Sequence, residues 1–470
     1  MRGDGTVFHD ESINKSGEFC SSLFLPSLSF QSSLPRAKHI FGESRGSSDS
    51  VMESFVEKLY PNRQSTVKIG TWNLVPILAG SAVFSMPYAI VNGGFFSLIF
   101  MIVMSLISNV TGVLLLDCLY ELSPNSGRRK RARKDLVDIA RAIWGRAGAF
   151  LVHFIVVVYL FLGDVLNMLL LAKSVYSLLH TCTKLSFVAL ACLFSLLAYP
   201  TLFIKRLTIL AYISLLSIIS IMLCVVTLVF IFIKEDDAWS QNYRDIPFLD
   251  VEKFPIAVGM IMLTCISHNA LPRIEGNLIE PNDARKVIHY SYGISTTLNM
   301  FIGIFGALSF GLKTESLVTL NASVVNEIAK TIIGVASICY AVLNYPLNMF
   351  IVCKTIDKIT ISTRIEENRK LYYCWIIMTR FVLFASTVGL ALAVPYFGII
   401  LGLRGSLIGT CLIFVFPCFF HLKLKWRQLP WYYIVLEICL LILGFVLGGI
   451  SFIVTGMRLC TAIQTNLSPQ

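Results

Sequence analysis

The sequence predicts an all-α, polytopic membrane protein with about eleven transmembrane helices. Hydrophobic residues make up 56% of the 470-residue chain and charged residues only 14%, and the mean hydropathy is +0.73. A water-soluble protein of this size could not cover so much apolar surface with so few charges. Apolar runs of about 18 residues or more recur along the chain, and such runs mark membrane-spanning helices. A soluble all-α protein is therefore disfavoured.

The first 66 residues are expected to form a disordered tail. They are rich in serine, glycine and charged residues, a composition that cannot bury enough apolar surface to fold. The apolar stretch 23–30 is short and interrupted by Pro26, so no cleavable signal peptide is predicted. The transporter-like membrane domain is predicted over 67–456, with a short tail over 457–470.

Hydropathy marks the candidate spans within this domain. Their approximate bounds are 71–91, 94–118, 149–172, 185–203, 207–233, 254–273, 292–312, 329–353, 373–394, 397–420 and 432–456. With this count, one face holds about 30 of the 39 Lys and Arg residues, and positive loops stay in the cytosol. The N-terminus is therefore predicted to be cytosolic and the C-terminus lumenal.

Two further features follow from this orientation. The basic run RRKRARK at 128–134 is interpreted as a cytosolic loop between two spans, and no nucleic-acid partner is predicted. The opposite, lumenal face is expected to hold the acidic segment 234–245 and the sequon Asn321-Ala322-Ser323, which makes Asn321 a candidate glycosylation site.

The 13 cysteines and 7 histidines do not point to a metal or cofactor site. The cysteines are scattered and lie mostly in apolar runs, and no CxxC pair or His/Cys cluster has metal-binding spacing. Neither a metal, a cofactor nor a disulfide framework is predicted. The sequence also lacks HExxH, GxSxG and P-loop motifs, which disfavours an enzyme.

Two of the predicted spans carry helix-breaking residues at their centres. In the first span, GTWNLVPILAGSAVFSMPYAI, Pro76 and Pro87 flank the small-residue patch 79–82. The polar and breaking residues of the sixth span, FPIAVGMIMLTCISHNALPRIEGN, are Thr264, Ser267, His268, Asn269 and Pro272. Such residues weaken a helix, and discontinuous helices at matching positions of two halves are the best sequence pointer to a transporter's binding site.

The separation of these two spans predicts an internal repeat. Spans one and six are five apart, so two groups of five spans would have opposite topology, as an inverted repeat requires. We expect repeat one over about 71–233 and repeat two over about 254–420, with an extra helix over about 432–456.

Unwound backbone at the membrane centre can bind a zwitterion, because its N–H groups suit a carboxylate and its carbonyl groups suit an ammonium. In one span alone, small residues more often serve close helix packing. Two breaks at matching positions favour a binding site instead. The candidate substrate-binding residues are Asn73, Ala79, Gly80, Ser81, Ala82, Thr264, Ser267 and Asn269.

Ionisable residues inside predicted spans are costly and therefore candidates for function. His268 is the first candidate for proton coupling, since histidine ordinarily titrates near pH 6.5; a neutral histidine bonded to a neighbouring helix is the alternative. Glu275 is predicted to gate by pairing with a Lys or Arg, or to be a solvated loop residue. Asp164 is expected to carry a proton or to pair with Arg404 or His153.

Several short motifs carry a resemblance to a known family. They are WN (72–73), MPYAIVNGG (86–94), CLYE (118–121), FPIAVGMIM (254–262), LPRIEGN (271–277), NYPLNMF (344–350), VPYFGIILGLRGSLIGT (394–410) and FPCFFHLKLKWRQLPW (416–431). On these residues the chain resembles the amino acid/auxin permease family, and within it the vesicular inhibitory amino acid (GABA and glycine) transporter branch. The chain departs from the branch at His268, where glutamine is expected, and at Arg404, where a small neutral residue is expected.

The resemblance implies a LeuT-like fold that works by alternating access. It also implies a place in the membrane of synaptic or other cytoplasmic vesicles, and uptake of small zwitterionic amino acids in exchange for protons. The implied partners are the amino acid, protons and the lipid bilayer. Two alternatives stay open: a proton-coupled permease of the lysosome or plasma membrane, and a sensor that binds an amino acid without moving it. Sodium ligands on span eight, such as Ser337, Asn344 and Asn348, are also available.

Overall fold

A computed structural model describes residues 65–122, 129–180, 182–204, 207–234, 238–325, 327–360, 369–394 and 396–467. The predicted disordered tail lies outside these ranges except for Ser65 and Thr66. Arg128 of the basic run also lies outside them.

The described chain is almost entirely helical, with a single short β-hairpin among the described residues, formed by β1 (Tyr120–Leu122) and β2 (Arg129–Arg131). The helices are α1 (Val67–Ala79), α2 (Met86–Gly93), α3 (Phe96–Asp117), α4 (Leu136–Leu179), α5 (Phe187–Ser195), α6 (Leu207–Lys234), α7 (Ala238–Asp245), α8 (Phe254–Thr264), α9 (Leu271–Asn277), α10 (Ala284–Phe310), α11 (Val318–Val325), α12 (Glu327–Thr360), α13 (Arg369–Ala393), α14 (Phe397–Arg404), α15 (Phe416–Lys425) and α16 (Trp431–Leu467). A π-helical segment, Gly405–Val415, joins α14 to α15. The last helix continues past the predicted span end at 456.

Within the described residues, eight helical segments are long and apolar enough to cross a membrane, and nine are if the bent pair α1 and α2 counts as one span. Two of the predicted spans are divided into shorter pieces. The span at 185–203 comprises α5 and a 3₁₀ turn at Tyr199–Phe203, and the span at 254–273 comprises α8 and part of α9. A multi-pass helical membrane protein is confirmed, while the count of eleven stays a prediction.

The first predicted helix break is confirmed. Gly80 adopts φ +52°, a left-handed backbone that glycine reaches without steric cost, and it ends α1. A 3₁₀ turn at Ser81–Ser85 follows, and α2 begins with Pro87 in its first turn, where a proline is tolerated. The two halves of the span meet at a bend of 43°.

The second predicted break is confirmed as well. Helix α8 ends at Thr264 and α9 begins at Leu271, and the backbone of 265–270 between them is not helical. Pro272 stands in the first turn of α9. In α9 the missing N–H of the proline costs nothing, because the first N–H groups of a helix have no internal partner.

The helices pack as two groups. Helix α10 packs on α1 and α2, and α2 packs on α8, while α12 packs along α4 and α6. The face of the membrane domain at which α1 begins is called the N face below. The β-hairpin and the end of α9 also lie at the N face, where Ser65 forms a bridge with Leu278. Pro247 and Phe248 lie at the opposite face, where their carbonyl groups accept hydrogen bonds from the start of α3.

Candidate functional site

A cavity of about 160 Å³ lies between the two helix groups and receives both broken segments. One wall is built by α1, by the end of the second break and by α9. The other wall is built by α4 and α12, with Arg404 at the end of α14. Ser65, Arg273 and Asn277 also line the cavity, so it extends from the helix breaks to the N face.

The predicted binding residues divide into two sets. Those that line the cavity are Asn73, Ala79, Gly80, Ser81, Ala82 and Asn269. Thr264 and Ser267 are buried outside the lining. The Thr264 hydroxyl donates to the carbonyl of Ile261 at 2.8 Å, and Ser267 Oγ lies 2.9 Å from the hydroxyl of Tyr292. The Thr264 hydroxyl thus bonds within α8, whereas the Ser267 hydroxyl ties the second break to α10.

The breaks give the cavity a directed electrostatic character. Helix α1 ends at Ala79 and α8 ends at Thr264, and the carbonyl end of a helix carries a partial negative charge. These ends suit an ammonium group. Among the described residues, the buried atoms Asn269 Oδ1 and Asn344 Nδ2 have no hydrogen-bond partner. Buried polar groups in native proteins are nearly always bonded, so these amides are available to a ligand.

A row of polar side chains on the second wall was not predicted to bind substrate, although Asn344 and Asn348 were considered as sodium ligands. Its members are Tyr159, Asn167, Tyr340, Asn344 and Asn348. Asn344 and Asn348 are four residues apart in the sequence and therefore share one face of α12. That spacing, inside an otherwise apolar run, was the available signal.

Asp164 is fully buried and corrects one expectation. Its Oδ1 accepts hydrogen bonds from the amides of Asn167 and Asn348, both at 3.4 Å. Among the described residues it forms no ion pair with Arg404 or His153. His153 lies eleven residues away on the same helix, or about 16 Å along it, and Arg404 is engaged by Tyr159. A direct ion pair of Asp164 is therefore not formed among the described residues, although its charge and that of Arg404 act on each other through space.

Arg404 stacks on the second wall. Its guanidinium carbon lies 4.2 Å from the centre of the Tyr159 ring, and Nε donates to the Tyr159 carbonyl at 3.2 Å. The side chain is 8% exposed and lines the cavity. The position that departs from the family pattern thus stands inside the candidate site.

His268 is fully buried and lies outside the cavity lining. Its Nε2 is 3.0 Å from the hydroxyl of Thr111 on α3. This contact matches the alternative of a histidine bonded to a neighbouring helix, and it also leaves Nδ1 without a hydrogen-bond partner among the described residues. The proton-coupling role of His268 stays a prediction.

Glu275 forms a buried ion pair at the N face. Arg131 Nη1 lies 2.6 Å from Glu275 Oε2, and both side chains are almost fully buried. The Tyr120 hydroxyl donates to the same carboxylate, and Arg131 Nη2 donates to the Pro272 carbonyl at 2.9 Å. The hairpin thereby holds α9. The partner of Glu275, Arg131, lies in the basic run 128–134. The sequence did not indicate which basic residue of this run would pair with Glu275.

Asn321 is buried near the opposite face. Its Nδ2 donates to the Lys313 carbonyl at 2.9 Å, and its Oδ1 accepts from the Glu315 N–H at 2.8 Å. In this conformation the amide is not presented to solvent, and glycosylation of Asn321 stays a prediction.

The far side of the cavity is closed by packing around the first break. The Ser85 hydroxyl donates to the carbonyl of Ser316, in the segment before α11. The Phe84 ring meets the Tyr340 ring edge-on at a centroid distance of 5.1 Å. Every residue of the 3₁₀ turn Ser81–Ser85 is buried. Access to the cavity is therefore from the N face.

Comparisons with known proteins agree with this architecture. The family model described as transmembrane amino acid transporter protein matches residues 63–457. The vesicular inhibitory amino acid transporter of Xenopus tropicalis is 26% identical over 415 residues, which are 84% of this chain and 77% of that protein. The vesicular GABA transporter of Caenorhabditis elegans is 26% identical over 368 residues, covering 76% and 72% of the two chains. The amino acid transporter AVT1E of Arabidopsis thaliana is 26% identical over 402 residues, covering 82% and 72%.

A solved structure extends the comparison to the fold. The crystal structure of MhsT in complex with L-phenylalanine superposes with a TM-score of 0.52 at 11% sequence identity, covering 84% of this chain and 99% of that chain. The expected LeuT-like arrangement is therefore confirmed in outline, while the division into two repeats of five spans stays a prediction.

Proposed function

The chain belongs to the family of transmembrane amino acid transporter proteins, and we propose that it is a vesicular carrier that takes up small zwitterionic amino acids, GABA and glycine among them, in exchange for protons. The observation that carries the proposal is that both helix breaks open onto one cavity, whose lining includes several polar side chains. Relatives named vesicular inhibitory amino acid transporter and vesicular GABA transporter support the vesicle membrane and the substrate class.

The zwitterion is assigned to the two breaks. Its ammonium group would bind the carbonyl ends of α1 and α8, where the helix dipoles are negative. The carboxylate of an α-amino acid such as glycine, which stands next to the ammonium group, would bind backbone N–H groups that the first break releases beyond Gly80. The amides of Asn73 and Asn269 line the same space and would fix the orientation of the ligand. Small side chains at Ala79 and Ala82 leave room for it.

Transport requires that the cavity open to each side in turn. We assign the N face to the cytosol, in agreement with the positive charge of its loops, so the described conformation would accept substrate from the cytosol. Loading would then require α1 and α9 to close against α12 and the contact between Ser85 and Ser316 to separate. When α9 moves, the ion pair of Arg131 with Glu275 either moves together with α9 or breaks. This is the gating role that we propose for Glu275.

Proton exchange is assigned to His268. Histidine is the side chain that ordinarily titrates between pH 5 and 8, and His268 stands inside the second break, where a charge would act directly on the substrate-binding backbone. Its contact with Thr111 ties that charge to α3. Asp164, behind the asparagines of the second wall, is the other buried group that could hold a proton.

The test is uptake by proteoliposomes of the purified full chain, with the interior acidic and positive and protein-free liposomes as the control. Accumulation of labelled GABA or glycine that a proton ionophore abolishes is expected. Uptake of larger neutral amino acids only, or uptake that needs acid outside, would instead indicate a permease of the lysosome or plasma membrane. Binding without flux would indicate a sensor and overturn the carrier proposal.

A further inference from the structure

Arg404 carries a buried positive charge that the described protein only partly satisfies. Its side chain is 8% exposed, and its Nε donates to the Tyr159 carbonyl at 3.2 Å while the guanidinium lies over the Tyr159 ring. Within the described ranges, Nη1 and Nη2 form neither a hydrogen bond nor an ion pair. Arg404 itself lines the cavity, so these two nitrogen atoms are available to a ligand there.

No carboxylate of the described residues forms a direct ion pair with Arg404. The charge of Asp164 acts on it through space, but Asp164 gives its Oδ1 to Asn167 and Asn348 and does not line the cavity. A buried charge without a counter-charge is strongly destabilising, and a cation–π contact with one aromatic ring offsets only part of that cost. An anion that enters the cavity would complete the site.

The charge of the cavity lining has one sign. The charged side chains that line it are Arg404 and, toward the N face, Arg273; among the described residues no Asp or Glu lines it. A wall of this kind favours ligands that carry a carboxylate. Guanidinium matches a carboxylate with two parallel N–H bonds, which adds orientation to attraction.

Gly163 indicates that the position of the guanidinium is built into the fold. A Cβ atom at Gly163 would lie 2.8 Å from Arg404 Nη2 and 3.3 Å from Cζ. The glycine therefore leaves room for the guanidinium to lie against α4, and both residues line the cavity. Any larger residue at 163 would push the charge out of place.

We propose that the Nη edge of Arg404 is a carboxylate subsite, and that it takes a carboxylate that stands away from the ammonium group of the substrate. The ammonium is assigned to the first wall, at the end of α1, whereas Arg404 stacks on α4 in the second wall. Two sources fit: the carboxylate of an ω-amino acid such as GABA, and the side-chain carboxylate of an acidic amino acid such as L-aspartate. Glycine, whose charges are adjacent, would bind the breaks without Arg404. This inference rests on the proposed function.

The test is equilibrium binding of labelled GABA, L-aspartate and glycine to the purified full chain. Arg404→Gln is expected to weaken binding of GABA, L-aspartate or both by at least about tenfold, the typical worth of a charge-assisted hydrogen bond. Glycine should change by less than about threefold, and Arg404→Lys should retain part of the affinity. Arg458→Gln, a change outside the cavity lining, is the matched control.

A second variant, Gly163→Ala, keeps the positive charge of Arg404 but displaces its guanidinium. Gly163→Ala should weaken the same ligands as Arg404→Gln and spare glycine, even if Arg404→Gln does not fold. In the wild type, 4-aminobutanamide, which lacks the carboxylate of GABA, should not compete with GABA. The ligand that loses affinity identifies the source: GABA alone indicates an ω-amino acid site, and L-aspartate alone indicates an acidic amino acid site.

Three results would overturn the subsite. They are equal losses for glycine and the other ligands, full competition by 4-aminobutanamide, and an Arg404→Gln variant that binds GABA and L-aspartate as tightly as the wild type does. A wild-type protein that binds no amino acid at all would instead contradict the proposed function, so the two failures are distinguishable.

Discussion

The two helix breaks open onto the same cavity, but they are made in different ways. The first is a sharp bend at Gly80 followed by a 3₁₀ turn, and its small residues face the cavity. The second is a longer non-helical stretch, 265–270, and only Asn269 and Ala270 of that stretch face the cavity. The second break is the more polar of the two, yet a smaller part of it lines the cavity.

The polar side chains of the second break explain the difference. Ser267 bonds to Tyr292 on α10, and His268 bonds to Thr111 on α3. Six residues of unwound backbone cannot be held in an apolar environment by backbone contacts alone, so these side chains tie the break to two neighbouring helices. The first break is shorter and needs only a glycine. In this protein, therefore, some polar residues of a broken span stabilise the break while others line the cavity.

The largest effect is expected where the second break is anchored to the N face. Glu275→Gln leaves Arg131 buried without a counter-charge, which is expected to cost about 3–5 kcal/mol. The melting temperature of the purified protein in detergent measures this loss. The matched control is Glu121→Gln, whose side chain is 58% exposed in its pair with Arg133 and whose loss should cost less than about 1 kcal/mol.

A double variant separates charge from packing in this anchor. Arg131→Met with Glu275→Leu removes both charges together, and most of the stability should return. Equal melting temperatures for Glu275→Gln and the wild type would show that the pair does not hold α9.

The next effect tests the first break. Gly80→Val forces a β-branched residue into φ +52°, a conformation that costs about 1–3 kcal/mol. Uptake in proteoliposomes should fall about fivefold or more, because the backbone relaxes away from the geometry of the cavity. Gly449→Val is the control, since a Cβ there meets nothing within 4 Å. Normal uptake by Gly80→Val would mean that the bend is not needed.

A smaller effect tests whether the second break has a role beyond support. If His268 carries the exchanged proton, His268→Gln should flatten the dependence of uptake on the pH gradient, while uptake driven by the membrane potential persists. Glutamine keeps a hydrogen-bonding group for Thr111, so the break should stay in place. An unchanged pH dependence would leave His268 with its bond to α3 only.

The smallest effects are expected at two residues of the second break, Ser267 and Asn269. Ser267→Ala removes a buried hydrogen bond and should lower the free energy of unfolding by about 1 kcal/mol with KM unchanged. Asn269→Ala should do the reverse, raising KM while the melting temperature stays close to that of the wild type. Identical profiles for the two variants would contradict the division between supporting and cavity-lining residues.

The sequence predicted the breaks because backbone chemistry is local. Gly80, Pro87 and Pro272 restrict or release the backbone wherever they stand, and both helices end where these residues indicate. The direction of a side chain is not local in this sense. Whether Ser267 meets the cavity or Tyr292 depends on how α10 packs against the break, and a single sequence does not contain that packing.

The sequence did not predict the second wall as part of the substrate site, for a related reason, although Asn344 and Asn348 were considered as sodium ligands. Asn167, Asn344 and Asn348 are scattered over two spans and become neighbours only when α4 and α12 pack together. Arg404 stood out in the sequence because a charge in a span is rare, but it forms no direct ion pair with Asp164. The ring and carbonyl of Tyr159 hold the guanidinium instead, while two amides hold the carboxylate.

The most direct measurement of the central claim is the reactivity of a cysteine placed in each break, with the native cysteines measured in the wild type as background. In proteoliposomes, Ser81→Cys should react with a small charged thiol reagent, and a transported amino acid should slow the reaction. Ser267→Cys should stay unreactive. Labelling of Ser81→Cys that no transported amino acid slows, or labelling of Ser267→Cys at the same rate, would contradict a substrate site at the first break.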